Sequence, residues 1–221
     1  MRIIDLSHEI ASGAAAYPGL PSPAIDAYLD WEASHRTYAA GTEFQIGRIT
    51  MVGNTGTYLD TPAHRYRDGF DLSGLPLEAV VELPGVLVRA AGRAIGPAVF
   101  DGLDVRGRAV LVNTGWCRHW ETPRYGADDH PYLTAEAADV LARRGTALVG
   151  IDSVNVDDTS SASAGNRPVH SILLAAGIPI VEHLCDLDRL TAAPFTFTAV
   201  PVKVNGLATF PVRAYARQGA A

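Results

Sequence analysis

Asn54-Thr55-Gly56-Thr57-Tyr58-Leu59-Asp60-Thr61-Pro62-Ala63-His64 is the stretch on which the reading of this chain turns. Residues 44–52, just before it, alternate well enough for a half-buried strand. Gly53 and Gly56 then permit a sharp turn that residues with a β-carbon resist. Thr61 and Pro62 follow as a suitable N-cap and first helical residue, so a helix start is predicted there. Asp60 and His64 would bracket that start, where free backbone N–H groups favour anionic groups. A carboxylate in such a place is a hard metal ligand, and an imidazole moves protons near neutral pH. The plainer alternative is a capping Asp and a surface His.

The chain has 221 residues, of which 48% are apolar, enough for one sizeable core, and a single domain over 1–221 is expected. A net charge of -6 with dispersed Lys and Arg offers no basic stripe, so neither nucleic acid nor an anionic membrane is expected as a partner. A small-molecule substrate fits better. The opening Met1-Arg2-Ile3-Ile4-Asp5-Leu6-Ser7-His8 holds no run of about 7–15 apolar residues behind a basic start. No stretch of about 18 apolar residues occurs anywhere, and a soluble, cytoplasmic protein is expected. Cys117 and Cys185 lie far apart and form no CxxC pair, which predicts buried free thiols.

Apolar runs of strand length at 3–6, 44–52, 86–90, 109–113, 147–151, 178–182 and 195–204 alternate with helical patterns. This makes a sheet-rich α/β chain. One helix is predicted from an N-cap at Thr134, with Ala137, Val140 and Leu141 at helical spacing and Gly145 as its end. A second covers 169–176, stopped by Gly177 and Pro179, which puts His170 in its first turn. Glu182 lies on the strand that follows, twelve residues after His170, so both can face the cleft that holds Asp60. Of the neighbours Glu182 and His183, only one can face it, because adjacent strand residues point to opposite faces. Arg167, beside His170, could bind a substrate carboxylate, with a solvated loop arginine as the alternative.

The opening stretch resembles the signature His-x-Gly-Thr-His-x-Asp-x-Pro-x-His of the cyclase family that includes bacterial kynurenine formamidases and isatin hydrolases. Gly56, Thr57, Asp60, Pro62 and His64 match, whereas Asn54 and Tyr58 stand where that family has histidines. Further landmarks follow in the family's order: Asp5-Leu6-Ser7-His8, Tyr17-Pro18-Gly19, Thr114-Gly115-Trp116, Tyr132-Leu133-Thr134, Gly150-Ile151-Asp152 and Pro211-Val212-Arg213. Leu20 and Asn155 depart from it, replacing an Asp and a Ser. The resemblance implies an α/β fold with a central mixed, barrel-like β-sheet flanked by helices, and a homodimer or higher homo-oligomer. It implies Asp60, His170 and Glu182 as ligands of the second of the family's two metal ions, a donor set that suits zinc or manganese, with His64 as general base and Tyr17 in the substrate pocket. Asn54 is expected to touch substrate as well.

The lost histidines change the expected chemistry. Asn54 offers only a neutral carbonyl oxygen, and Tyr58 must shed a proton to ligate strongly, which costs roughly 4 kcal/mol at pH 7 for a reference pKa of about 10. A two-metal site is therefore not expected. The first reading is a small-molecule hydrolase resembling kynurenine formamidase, which opens an amide, formamide, cyclic amide or lactone with one metal ion. An alternative needs no metal: a cyclase, dehydratase or isomerase with Tyr58 and His64 as its acid and base. A third is a catalytically silent protein that binds a small molecule or a partner.

Overall fold

The computed structural model describes residues 1–14, 17 and 19–219, and Pro18 of the Tyr17–Gly19 turn lies outside them. Its strands are β1 (Arg2–Asp5), β2 (Ala24–Leu29), β3 (Ile46–Thr50), β4 (Tyr58–Asp60), β5 (Leu83–Arg89), β6 (Ala94–Ile95) and β7 (Ala109–Asn113). They continue as β8 (Tyr132–Leu133), β9 (Leu148–Ile151), β10 (Ile180–Glu182), β11 (Phe195–Thr198), β12 (Thr209–Pro211) and β13 (Tyr215–Gln218). The α-helices are α1 (Trp31–Thr37), α2 (Ala135–Arg143) and α3 (Pro168–Ala175).

Nine strands form one mixed sheet in the order β1-β13-β11-β5-β7-β9-β10-β4-β12. Its middle, β5-β7-β9-β10, is parallel, and the flanking pairs are antiparallel. The sheet curls back on itself. Just past β1, the Leu6 amide donates to Ala214 O at 2.9 Å and Leu6 O accepts from the Cys185 amide at 3.0 Å. Ser7 bridges Leu184, which follows β10, so the first strand's continuation meets the far side of the sheet. The expected α/β fold with a barrel-like mixed sheet is thus found.

Alternation along the strands divides the core in two. Leu111, Leu148, Val181 and Leu59 share one cluster with Ile4, Leu6 and Phe197. Val110, Val112, Val149, Ile151 and Ile180 turn to the other face and pack against Ala137 and Leu141 of α2 and Val169 and Leu173 of α3. The predicted cap of α2 is present, since Thr134 accepts from the Ala137 amide at 3.3 Å. Gly145, at φ +74°, and Gly177, at φ +72°, end α2 and α3 in the left-handed region that glycine favours.

Four expectations need correction. Residues 44–52 are not half-buried: β3 is exposed throughout and pairs only with the exposed β2, in a ribbon separate from the main sheet. Thr61-Pro62 opens a single 3-10 turn, Pro62–His64, rather than an α-helix. The Thr61 hydroxyl caps nothing there; it donates to Ala208 O at 2.8 Å, so the anion-binding helix terminus does not form. The strand at 195–204 stops at Thr198, and beyond it only Pro201, which has no N–H to give a ladder, makes an isolated bridge to Val212. Cys117 and Cys185 are free thiols, half-buried rather than fully buried, and desolvation pushes them up to about 11 and about 12.

Candidate active site

Strand pairing builds the site. Glu182 of β10 lies opposite Tyr58 of β4, and Thr209 of β12 lies opposite Asp60. Side chains directly opposite across an antiparallel pair share a face, and Tyr58 and Asp60 share theirs by the two-residue period. Tyr58, Asp60 and Glu182 are almost fully buried, and Thr209 is 6% exposed. The first turn of α3 adds His170, 5% exposed, and the 3-10 turn adds His64, with a side chain 35% exposed.

Gly53 and Gly56 hold this frame together. A β-carbon on Gly53 would lie 2.3 Å from Thr209 O, so only glycine lets the chain before β4 pass β12 so closely. Gly56, at φ +63°, leaves room for the Ile10 side chain 2.8 Å from where its β-carbon would be.

Hydrogen bonds fix where each lone pair points. Asp157 accepts from the Val169 and His170 amides at 2.8 and 3.0 Å, and its Oδ2 lies 2.7 Å from His170 Nδ1. A carboxylate has no proton to give, so Nδ1 carries the hydrogen and Nε2 faces the pocket. That Nε2 lies 3.7 Å from Asp60 Oδ2 and 3.8 Å from Glu182 Oε1, too far for hydrogen bonds. Asp60 Oδ2 is buried with no hydrogen-bond partner among the described residues. Such an orphaned carboxylate oxygen beside an imidazole nitrogen and a second carboxylate fits a cation that draws all three inward.

His64 is set differently. Thr209 donates its hydroxyl hydrogen to Asp60 Oδ1, and its oxygen lies 2.9 Å from His64 Nδ1. With the Thr209 hydrogen committed, His64 Nδ1 must donate, which leaves Nε2 as the proton acceptor. Asp60, His64 and His170 also form a group whose donor atoms lie within 4.8 Å of one another, so by proximity alone His64 is a possible ligand. The hydrogen-bond pattern instead favours the expected base, because the His64 nitrogen nearer Asp60 carries hydrogen.

Charges here are strongly coupled. Burial lowers the His170 pKa, but the carboxylates of Asp157, Asp60 and Glu182 outweigh it and push it up to about 10, so an ion that binds Nε2 must displace a proton from it. Burial raises Asp60, yet His170, His64 and Thr209 hold it below the usual carboxylate range. Burial drives Glu182 up, partly offset by His170. Three carboxylates thus meet at one imidazole, a surplus of negative charge that a divalent ion would relieve.

Tyr58 does not replace a ligand. Its hydroxyl donates to Glu182 Oε2 at 2.5 Å, while Glu182 Oε1 accepts from the Val156 amide at 2.6 Å. Burial, then the Glu182 and Asp60 charges, push the Tyr58 phenol well above its ordinary range. The phenol therefore stays protonated and braces Glu182 in place.

A cavity of about 280 Å³ opens over these groups, lined by Tyr17, Leu20, Asn54, Tyr58, His64, Asn155, His170 and Glu182 together with Arg65 and Arg167. Every residue singled out in the sequence as a site candidate lines it except Asp60, which is fully buried beneath. Glu182 faces it and His183 does not, although the reason is not strand alternation: β10 ends at Glu182, and His183 follows in the left-handed region at φ +58°. Asp157 and Thr209, which orient the two histidines, have no local signature in the sequence.

The fold and site define a class, α/β proteins that gather carboxylates and imidazoles at the edge of a curled mixed sheet. Within that class the chain belongs to the family described as "Putative cyclase", whose model matches residues 4–158. It is 29% identical over 221 residues to a kynurenine formamidase of Salinibacter ruber, with 98% of each chain covered. It is 27% identical over 215 residues to a kynurenine formamidase of Bacillus cytotoxicus, covering 97% of this chain and 96% of that one. Isatin hydrolase A from Labrenzia aggregata superposes with a TM-score of 0.83 at 23% identity, over 97% of this chain and 93% of that one.

Proposed function

We propose that this protein is a metal-dependent hydrolase that opens a carbon–nitrogen amide bond, formamide or cyclic amide, of a small molecule. The observation that carries the reading is the unpartnered Asp60 Oδ2, aimed with Glu182 Oε1 at the free Nε2 of His170. The kynurenine formamidase and isatin hydrolase relatives support the same chemistry. Asp60, His170 and Glu182 would hold one divalent ion, zinc or manganese by donor chemistry. Such an ion polarises a carbonyl and makes water acidic enough to ionise near neutral pH.

The chain's own residues supply the rest. His64 Nε2 takes the proton from the attacking water, with the ring held by Nδ1–H to Thr209 and through it to Asp60. The same nitrogen then hands that proton to the departing nitrogen as the C–N bond breaks, giving an acid and an amine. Asn54 and Tyr17 line the cavity against the substrate. The metal-independent reading is weaker, because the Tyr58 proton it needs is already donated to Glu182.

Metal analysis of gently purified protein, with amide hydrolysis measured alongside, tests this reading. One equivalent of metal is expected, lost in Asp60→Asn and His170→Ala. His64→Ala should keep the metal while its rate falls roughly 10²–10⁴-fold, the usual worth of a general base. A metal-free protein whose rate ignores added zinc and manganese would sink the idea.

We further infer a homodimer, a single domain per chain, working in the cytoplasm. Ile25, Tyr28, Phe44, Ile46 and Ile49 crowd exposed on and beside the β2-β3 ribbon, an apolar surface that suits a second copy. The unpaired thiols suit a reducing compartment. No helix of the described residues is long and apolar enough to cross a membrane. Light scattering should give twice 23.4 kDa, falling to a single chain in Ile25→Asp/Ile49→Asp.

A further inference from the structure

We propose that the pocket selects an anionic substrate, a compact amide bearing a carboxylate, and that Arg65 and Arg167 hold that carboxylate at the rim. The inference deepens the amide-hydrolase reading and rests on it for the reaction, but the recognition can be measured by binding alone.

The cavity is polar in charge from floor to rim. Glu182 and, beneath it, Asp60 make the floor anionic, whereas exposed Arg65 and half-buried Arg167 stand at the solvent side. Many surface arginines find carboxylates, as Arg48 does with Asp26 and Arg213 with Asp5. Among the described residues, Arg65 and Arg167 bond only neutral acceptors. Arg167 donates through Nη1 alone, to Asn166 O at 2.8 Å, Asp158 O at 3.1 Å and, more weakly, Ser163 Oγ at 3.5 Å. Its Nε and Nη2 remain as an open pair of donors. Arg65 uses only Nε, to Ser171 Oγ at 3.1 Å, and keeps both Nη groups.

Ser171 ties the Arg65 guanidinium to the backbone of Arg167. Its hydroxyl donates to Arg167 O at 2.8 Å while its oxygen accepts from Arg65 Nε, so the pair is fixed to the turn of α3 that carries His170. Guanidinium groups braced by neutral bonds, with donors unspent, are set for the planar fork of a carboxylate. At about 280 Å³ the cavity is at the small end of ligand sites. It leaves room for an amide over the floor and one acid group at the rim, as in a ring carrying both.

The test compares 2-formamidobenzoate with 2-formamidobenzamide, which share ring and formamide and differ in charge. The wild type should favour the acid by roughly tenfold or more in kcat/KM, mainly through KM, as expected for a charge-assisted hydrogen bond. Arg65→Gln and Arg167→Gln should each shrink that ratio, and the double variant should bring it near one. Equal kcat/KM for the two probes in the wild type overturns the proposal without any variant. A preference that survives in the double variant belongs to the floor and overturns it too. If neither probe is hydrolysed, the hydrolase reading fails on its own, and calorimetry with 2-aminobenzoate and 2-aminobenzamide still decides recognition. Tighter binding of the acid, lost in the double variant, supports it; equal affinity refutes it. Inorganic phosphate should compete less well than benzoate, and the reverse would overturn the assignment to a carboxylate.

Discussion

At the scale of single residues, the site is a set of fixed lone pairs, and Asp157 sets the most important one. It holds the first turn of α3 by two backbone amides and the His170 ring by Nδ1. Replacing it with Asn keeps the shape but offers an amide that can turn its NH₂ toward Nδ1 and favour the other tautomer. Partners of this kind are worth about 10–100-fold in metal affinity, so Asp157→Asn should weaken zinc or manganese by that factor in a competition titration. Unchanged affinity would mean that His170 is oriented by its packing alone. The sequence made Asp60, His64, His170 and Glu182 legible because their spacing matched a known pattern. Asp157 and Thr209 were not, since their meaning lies in contacts across 13 residues to His170 and 149 residues to Asp60.

At the scale of elements, the site depends on three very short strands, β10, β4 and β12, and here the sequence was least readable. β7 matched its predicted bounds and α2 its predicted cap, because a run of apolar residues and a Thr–Gly pair of boundaries are local signals. β4 and β12 have three residues each, too few for any period, and exist only by pairing. Residues 44–52 misled for the opposite reason, since the strand they predicted is there as β3 but faces solvent. Gly53 tests how tightly β12 is tied to the site. In Gly53→Ala the new β-carbon must push Thr209 O from 2.3 Å to ordinary contact, moving the strand that bonds Asp60 and His64. Overpacking of this kind costs about 1–3 kcal/mol, to be read from urea denaturation. Misplacement by about 1 Å can cost roughly 10²-fold in rate, so hydrolysis should fall far more than the folded fraction. Loss of stability with an unaltered rate would show that β12 yields without disturbing the site.

At the scale of the whole molecule, acid sensitivity follows from histidines buried without charge. Burial lowers His8 from 6.5 to about 4, with the Asp186 charge opposing it only in part. Its ring stacks on Trp120 at 3.9 Å, and its Nε2 has no partner among the described residues. Burial likewise lowers His130, whose nitrogens are engaged by Pro131 O and Thr159 Oγ1. The unfolded chain binds protons at these positions below about pH 6.5, whereas the folded protein does not. Where the unfolded state holds more protons, stability rises with pH, so the contribution of these histidines falls as pH drops through 6.5 and goes on falling to about 4, where folded His8 also charges. Between pH 7 and pH 5 these histidines should therefore pull the urea midpoint down, while Glu182, which burial raises to about 7, takes up its proton in the folded protein and pulls the other way. His8→Phe keeps an aromatic ring against Trp120 and removes the titrating nitrogen, so its midpoint should decline less steeply over the same interval. A slope identical to that of the wild type would remove His8 from the account and leave the acid response to groups elsewhere in the fold.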